Sequence, residues 1–193
     1  HHGLVVDERR LRHVHTKFDG YVEHLYVDYT GKLVRRGERL LSIYSPELVA
    51  TQEEYLLAHR AQASMASSAV RSAAQASVDI LEATRRRLLL WDIRPADIEK
   101  LERAGRVTRT LDVYADIGGY VVEKMAFQGM RVTPADTLYD IADLSHLWVL
   151  ADVYEYNLPS LALGIEGHIN VTSAGDKAWK GTVTYISPTV EEK

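Results

Sequence analysis

Gly20-Tyr21-Val22-Glu23, near the start of the chain, returns as Gly119-Tyr120-Val121-Val122. Each copy continues through a glycine (Gly31; Gly129) to a valine three residues on (Val34; Val132), a leucine (Leu40; Leu138) and an isoleucine (Ile43; Ile141). The offset is 99 residues at the start and 98 from the second glycine onward, so one residue has been lost between the copies. A β-type half-motif of this length cannot bury an apolar face alone, so the two copies are predicted to pair into one unit. The residues from Ser45 to about Arg109 are then an insertion that must leave that unit and return to it.

The insertion has helical composition. Ser45 is a good N-cap and Pro46 suits the first helical position. Neither glycine nor proline occurs from Glu47 to Arg94, where Ala, Leu, Glu, Gln and Arg dominate. Leu48, Val49, Tyr55, Leu56 and Ala63 keep a seven-residue spacing, as do Ala74, Leu81 and Leu88, with Val70 and Val78 beside them. One unbroken helix would run about 70 Å and carry the second half-motif away from the first. The repeat therefore predicts a reversal in Ser64-Met65-Ala66-Ser67-Ser68 and an antiparallel hairpin with arms of about 30 Å. Seven alanines lie between Ala61 and Ala76, which suits either a loosely packed tip or a docking surface. Pro95 to Arg103 reads as a short third helix, with Ile98 and Leu101 buried and Gly105 closing it.

Outside the insertion the chain reads as strands. Residues 4–15 predict one or two short ones, Tyr21–Val27 and Leu40–Tyr44 two more, and strand character resumes at Thr108–Tyr114. A new module begins after His146. Trp148–Tyr154 alternates as a strand, Glu155–Leu163 is a short helical or irregular crossing, and His168–Thr172 and Trp179–Ile186 flank a turn at Gly175. Three strands are too few to close a barrel, so the others would come from residues 4–15 or from sequence beyond this chain.

Composition excludes several functions. A net charge of −4 gives no general reason to expect nucleic acid, and Arg85-Arg86-Arg87 reads as a solvated helix face. The absence of cysteine removes disulfides, thiolate metal sites and thiol nucleophiles together. No apolar run approaches a membrane span and no signal peptide is recognisable. His1-His2-Gly3 reads as a tag scar or a cut end, and the chain as a fragment of a longer protein.

The segments Gly20–Val27, Gly31-Lys-Leu-Val-Arg-Arg-Gly37, Tyr44-Ser-Pro-Glu-Leu48 and Gln52-Glu-Glu-Tyr-Leu56 resemble the periplasmic adaptor (membrane fusion) proteins of heavy-metal efflux pumps, the CusB-like group. Gly118–Val122, Gly129–Val132 and Leu144–Glu155 extend the resemblance, which runs from about Val6 to Val190. It implies a mainly β fold with an inserted α-helical hairpin, in which a split lipoyl-like β-sandwich is joined to a partial β-barrel. The corresponding boundaries are residues 1–16 for N-terminal barrel strands, 17–45 with 107–143 for the sandwich halves, 46–106 for the hairpin with its third helix, and 144–193 for an incomplete barrel. It also implies a periplasmic, inner-membrane-associated location in Gram-negative bacteria. The implied partners are an inner-membrane resistance-nodulation-division (RND) transporter and a TolC-type outer-membrane channel, with trimeric or hexameric self-association. Against the family's extent, this chain is read as leaving out an N-terminal anchor, a Met-rich metal-binding segment and the C-terminal membrane-proximal domain, as expected of a fragment.

Candidate sites are few. Carrier domains of this fold present a modified lysine between the halves, but no lysine lies between Lys32 and Lys100, so no covalent cofactor is expected. His13 and His15, two apart on a strand, share a face and with His24 are the candidate metal ligands, read otherwise as exposed polar residues on an edge strand. Met125 and Met130 read as packing residues. No Ser/His/Asp or HExxH arrangement and no phosphate loop appears, so no enzyme is expected. Two readings remain: a structural adaptor (of a metal pump, or alternatively of a multidrug pump), or a metal-binding, metallochaperone-like module using the histidines. Under the adaptor reading the hairpin tip, with Arg60, Ala63, Ser64, Ser67, Arg71 and Ala74, meets the outer-membrane channel, and the sandwich mediates side-by-side packing.

Overall fold

The protein is described by a computed structural model covering residues 2–65, 71–170 and 178–187. It divides into two compact units, residues 6–148 and residues 1–5 with 149–193.

The larger unit is built on two four-stranded antiparallel sheets. One has the order β2 (Leu11–Val14), β9 (Tyr139–Ala142), β7 (Gly119–Lys124), β4 (Leu33–Val34). The other has the order β6 (Thr110–Tyr114), β5 (Arg39–Tyr44), β3 (Gly20–Leu25), β8 (Arg131–Val132). Each sheet therefore takes its two central strands from one half of the repeat and its two edge strands from the other. The donation is reciprocal: Gly20 faces Val132 and Tyr21 faces Arg131, while Gly119 faces Val34 and Tyr120 faces Leu33. Gly31 N–H donates to the Val121 carbonyl at 2.7 Å, and its counterpart Gly129 N–H donates to the Val22 carbonyl at 2.8 Å. Both glycines have positive φ, 90° and 80°, which a side chain would strain. Even the bulges match, between Val22 and His24 in one half and between Val121 and Glu123 in the other.

The lost residue can be placed. The amides of Tyr26 and Val27 donate to the Leu40 carbonyl as those of Met125 and Ala126 donate to Leu138, so the 99-residue offset survives to Val27 and Ala126. The deletion falls in the following turn, where Asp28-Tyr29-Thr30 stands against Phe127-Gln128. The core repeats as well. Val22, Val27, Val34, Leu40, Leu41 and Ile43 are matched by Val121, Ala126, Val132, Leu138, Tyr139 and Ile141, all fully buried. Tyr139 replaces Leu41, and its hydroxyl donates to the Val27 carbonyl at 2.7 Å inside the core.

The repeat is longer than its sequence signature. β2 pairs with β9 as β6 pairs with β5, Leu11 facing Ala142 and Thr110 facing Tyr44. This corrects the expectation that residues 1–16 belong wholly to the barrel, because Leu11–Val14 is an edge strand of the sandwich. Of that strand's four residues only Val14 keeps its type in the other half, as Val113, so identity alone could not reveal it. Gly20 and Gly119 are needed for close approach. A Cβ on Gly20 would lie 2.6 Å from the Tyr44 carbonyl oxygen, and one on Gly119 would collide with the Ala142 carbonyl.

Between β5 and β6 stand α1 (Pro46–Met65), α2 (Arg71–Leu90) and α3 (Pro95–Ala104). The Ser45 hydroxyl caps α1 by accepting from Leu48 N–H at 3.3 Å. Residues 66–70, where the predicted reversal falls, lie outside the described residues. Arg87, near the end of α2, pairs with Glu54 in the first half of α1, so the helices lie side by side and antiparallel. Leu48, Tyr55, Leu56 and Leu88 are buried and Leu81 packs against them, with Thr51, Ala58, Ser77 and Thr84 completing the helix seam. Helix α2 ends without glycine. Asp92 takes the left-handed conformation (φ 62°), Asp92 N–H donates to Leu89 and Ile93 N–H to Leu88, closing the turn over the buried Leu88–Ile93 pair. Helix α3 ends on left-handed Gly105 and buries Ile98 and Leu101, as the sequence predicts.

In the smaller unit, β11 (Glu166–Asn170) pairs antiparallel with β12 (Ala178–Thr182). A 3-10 segment, Glu155–Ser160, occupies the expected crossing. β1 (His2–Val6) pairs with β10 (Leu147–Ala151). The return strand is shorter than the predicted 179–186, and the turn expected at Gly175 lies outside the described residues.

Candidate functional site

The insertion is the part of the larger unit that a sandwich alone does not require, and its attachment is specific. Gln52, in the second turn of α1, is buried, and its side-chain amide embraces Thr108 just before β6. Nε2 donates to the Thr108 carbonyl at 3.1 Å, and Oε1 accepts from Thr108 N–H at 3.0 Å and from its hydroxyl at 3.1 Å. One turn on, the Tyr55 hydroxyl donates to the Glu102 carboxylate of α3. Burial first and then that carboxylate push the Tyr55 hydroxyl up to about 12, so it stays protonated and donating. Further along, the Arg60 guanidinium donates to the Gly105 carbonyl, satisfying the exposed C-terminus of α3. Three successive ties thus fasten α1 to the segment that brings the chain back.

This places the expected docking residues unequally. Arg60 is engaged with α3, whereas Ala63 and Ser64 lie beyond that tie and are exposed. Arg71 and Ala74 lie in the first turn of α2, and Ser67 lies outside the described residues. The histidines are separated. His13 lies on β2 and contacts the Asp140 carboxylate at 2.6 Å, while His24 lies on β3 of the other sheet with its ring edge-on to Tyr26. His15 follows β2 and is exposed. Among the described residues, no group of three or more His, Cys, Asp or Glu side chains is placed to hold a metal ion.

Sequence reasoning missed the role of Gln52. It stands in the Gln-Glu-Glu-Tyr-Leu segment quoted above, but a glutamine in a helix gives no sign that it is buried. It also missed the charged tie on the other side of the sandwich, where Arg10 meets Asp143 at 2.6 Å and the buried Asp7 carboxylate accepts from Arg9. The Gln52–Thr108 and Arg10–Asp143 ties join residues that are remote in sequence, whereas Asp7 and Arg9 are neighbours.

The two-sheet unit with its inserted hairpin corresponds to a known family. The model of the CusB barrel-sandwich hybrid domain matches residues 11–142, from the first sandwich strand to the last. The chain belongs to that family. Its lower boundary agrees with β2 as the start of the repeat. SilB of Salmonella typhimurium, by name a membrane fusion protein, is 24% identical over 179 residues. The match covers 93% of this chain and 39% of SilB, so the chain spans about two fifths of that relative's length. A UPF0194 membrane protein of Acidithiobacillus ferridurans is 31% identical over 96 residues, covering 50% of this chain and 28% of the relative. Among solved structures, ZneB of Cupriavidus metallidurans has the same fold at a TM-score of 0.61, with 20% identity over 98% of this chain and 83% of that one. A MacA-MexA chimera carrying the α-hairpin domain of Pseudomonas aeruginosa MexA follows at 0.59, with 16% identity over 97% of this chain and 68% of that one. The CusB-family chain is thus a mainly β barrel-sandwich hybrid with a helical hairpin, part of a membrane fusion protein. No helix among its described residues is long and apolar enough to cross a membrane.

Proposed function

We propose that this chain is the sandwich-and-hairpin part of a periplasmic adaptor in a tripartite heavy-metal efflux pump of a Gram-negative cell. It would bridge an inner-membrane RND transporter and a TolC-type outer-membrane channel. The observation that carries this reading is a braced helical hairpin set between the two halves of a CusB-type sandwich. Function on this reading lies in surfaces. The tip beyond Arg60 docks on the channel through small residues that let helices approach closely. Each exposed contact there contributes little, so affinity comes from several adaptor copies in a trimer or hexamer. Preference for metal cargo over drugs rests on the CusB-like segments of the sequence.

The test is made in the full-length adaptor, with residues 46–106 replaced by a short glycine-serine linker. Resistance to transition-metal salts should be lost while the adaptor is still made and its sandwich still folds. Retained resistance would sink the bridging role, and loss of drug resistance alone would make this a multidrug adaptor. Calorimetric titration with zinc or copper tests the metallochaperone reading, which needs stoichiometric binding that is lost on replacing His13 and His15.

A further inference from the structure

We propose that Gln52 is the positioning residue that aims the helical hairpin, a reading that deepens the adaptor function and rests on it. The apolar contacts at the hairpin root, made by Leu48, Leu88, Ile98 and Leu101, bury surface but carry no direction, because hydrophobic burial depends on area and not on angle. A cavity of about 20 Å³ lined by these residues with Gln52, Thr108 and Leu111 leaves that plug incompletely filled. The ties from Tyr55 and Arg60 end on Glu102 and Gly105, so they stiffen the helices against one another without referring them to the sheets.

Gln52 differs from all of these. Its amide reads the peptide N–H and C=O of Thr108 as a neighbouring strand would. Thr108 lies two residues before β6, β6 pairs with β5, and β5 runs into α1. The clamp therefore closes a short ring that contains both sheet and helix. Tilting α1 would open the ring and strand the donor and acceptor of the buried Gln52 amide, which is the penalty that makes the tie directional.

These residues contain no cysteine, so spin labels can be placed at Leu57→Cys on α1 and Tyr29→Cys on the sandwich, both exposed in the native protein, once any cysteine elsewhere in the full-length adaptor is replaced by serine. In purified full-length adaptor, Gln52→Met should broaden the label-to-label distance distribution roughly twofold, as expected when a hinge loses a buried directional tie. The other contacts from the insertion to the sandwich, Lys17 with Asp92 and Arg94 on the Tyr114 ring, are more exposed. Hydrogen exchange of β3 and β7 should stay unchanged, which separates aiming from general destabilisation. Gln52→Asn, one methylene too short to reach Thr108 but still polar, should broaden it likewise and decides the matter if the methionine variant does not fold. A parental distribution in either folded variant overturns the proposal. Metal resistance is read separately: a broadened distribution with full resistance would uphold the aiming role of Gln52 and count against the bridging function.

Discussion

The two ends of the sandwich occupy equivalent backbone positions and are closed by different chemistry. At one end β5 leaves at Tyr44 and β6 returns at Thr110, and the tie is the neutral, buried Gln52 amide on Thr108 backed by Leu48 and Leu88. At the other, β9 leaves at Ala142 and β2 enters at Leu11, its partner in the pairing. There the ties are charged. Arg10 pairs with Asp143, both partly exposed, Asp143 N–H donates to the Arg10 carbonyl at 3.2 Å, and Arg9 lies 5.4 Å from the Trp148 ring centre while holding Asp7. A neutral buried tie is indifferent to salt and pH, whereas an exposed ion pair is screened by one and titrated by the other. The Gln52 tie at the hairpin end is thus insensitive to salt and pH, although the exposed pairs Arg109–Glu23 and Lys17–Asp92 flank it, whereas the Arg10–Asp143 tie at the other end responds to both.

The largest test of this contrast is Leu88→Ala. Leu88 is fully buried at the hairpin root, and truncating such a leucine costs about 2–5 kcal/mol. Chemical denaturation followed by helical circular dichroism should show that loss at low and high salt alike. A loss that changes substantially with salt would mean the hairpin end is not held by neutral packing. Next come the paired glycines. Alanine at Gly20 or Gly119 meets a backbone carbonyl at equivalent places, and overpacking of that kind costs about 1–3 kcal/mol. Equal losses in thermal melts would confirm that both halves share one strained approach. A tolerated alanine in one half alone would break the symmetry.

Tyr139→Phe is smaller still. It removes the hydroxyl that meets the Val27 carbonyl, where Leu41 in the other half makes no such bond, and should cost about 1 kcal/mol. Burial and the nearby Asp28 charge push that hydroxyl's ionisation well above the ordinary tyrosine value, so the loss should be constant across neutral pH. Urea titration at several pH values checks both statements.

What could be read in the sequence were the features that recur in it. The Gly-Tyr-Val starts, the turn glycines and the alternating core residues are demanded by backbone geometry and burial, so both copies retained them. The start of α1 at Ser45-Pro46 and the end of α3 at Gly105 follow from local capping chemistry. Strand character over residues 4–15 was legible, but the place of β2 in the sandwich was not, because an edge needs only one buried residue and Val14 is the one it keeps. The end of α2 was hidden because aspartate does glycine's work at Asp92. Gln52, Arg10 and Asp143 were hidden for a deeper reason. Each is ordinary by type, and its meaning comes from a partner 56 or 133 residues away that only the folded sandwich brings near.

The subtlest test addresses the charged end. The Ser145 hydroxyl and amide and then the Arg10 guanidinium hold the Asp143 carboxyl down at about 2. A carboxylate whose folded value lies below its ordinary one, near 3.9, stabilises the fold above that ordinary value. The contribution then disappears as the pH falls from about 4 towards 2, where the carboxyl is protonated even in the folded protein. Arg10→Ala removes one of its partners. At pH 7 and low salt this variant should show faster amide exchange than the parent at Asp143 and Ser145, with the sandwich strands β3 and β7 unaffected. The difference should shrink at high salt, which screens the pair, and again as the pH falls to about 2, where the Asp143 carboxyl takes up its proton. The same comparison made with Gln52→Met should be flat in salt and pH, since its lost partner is a neutral amide. Exchange at Asp143 and Ser145 that is identical in parent and Arg10→Ala at low salt would remove the electrostatic account of this end and leave the two ends alike.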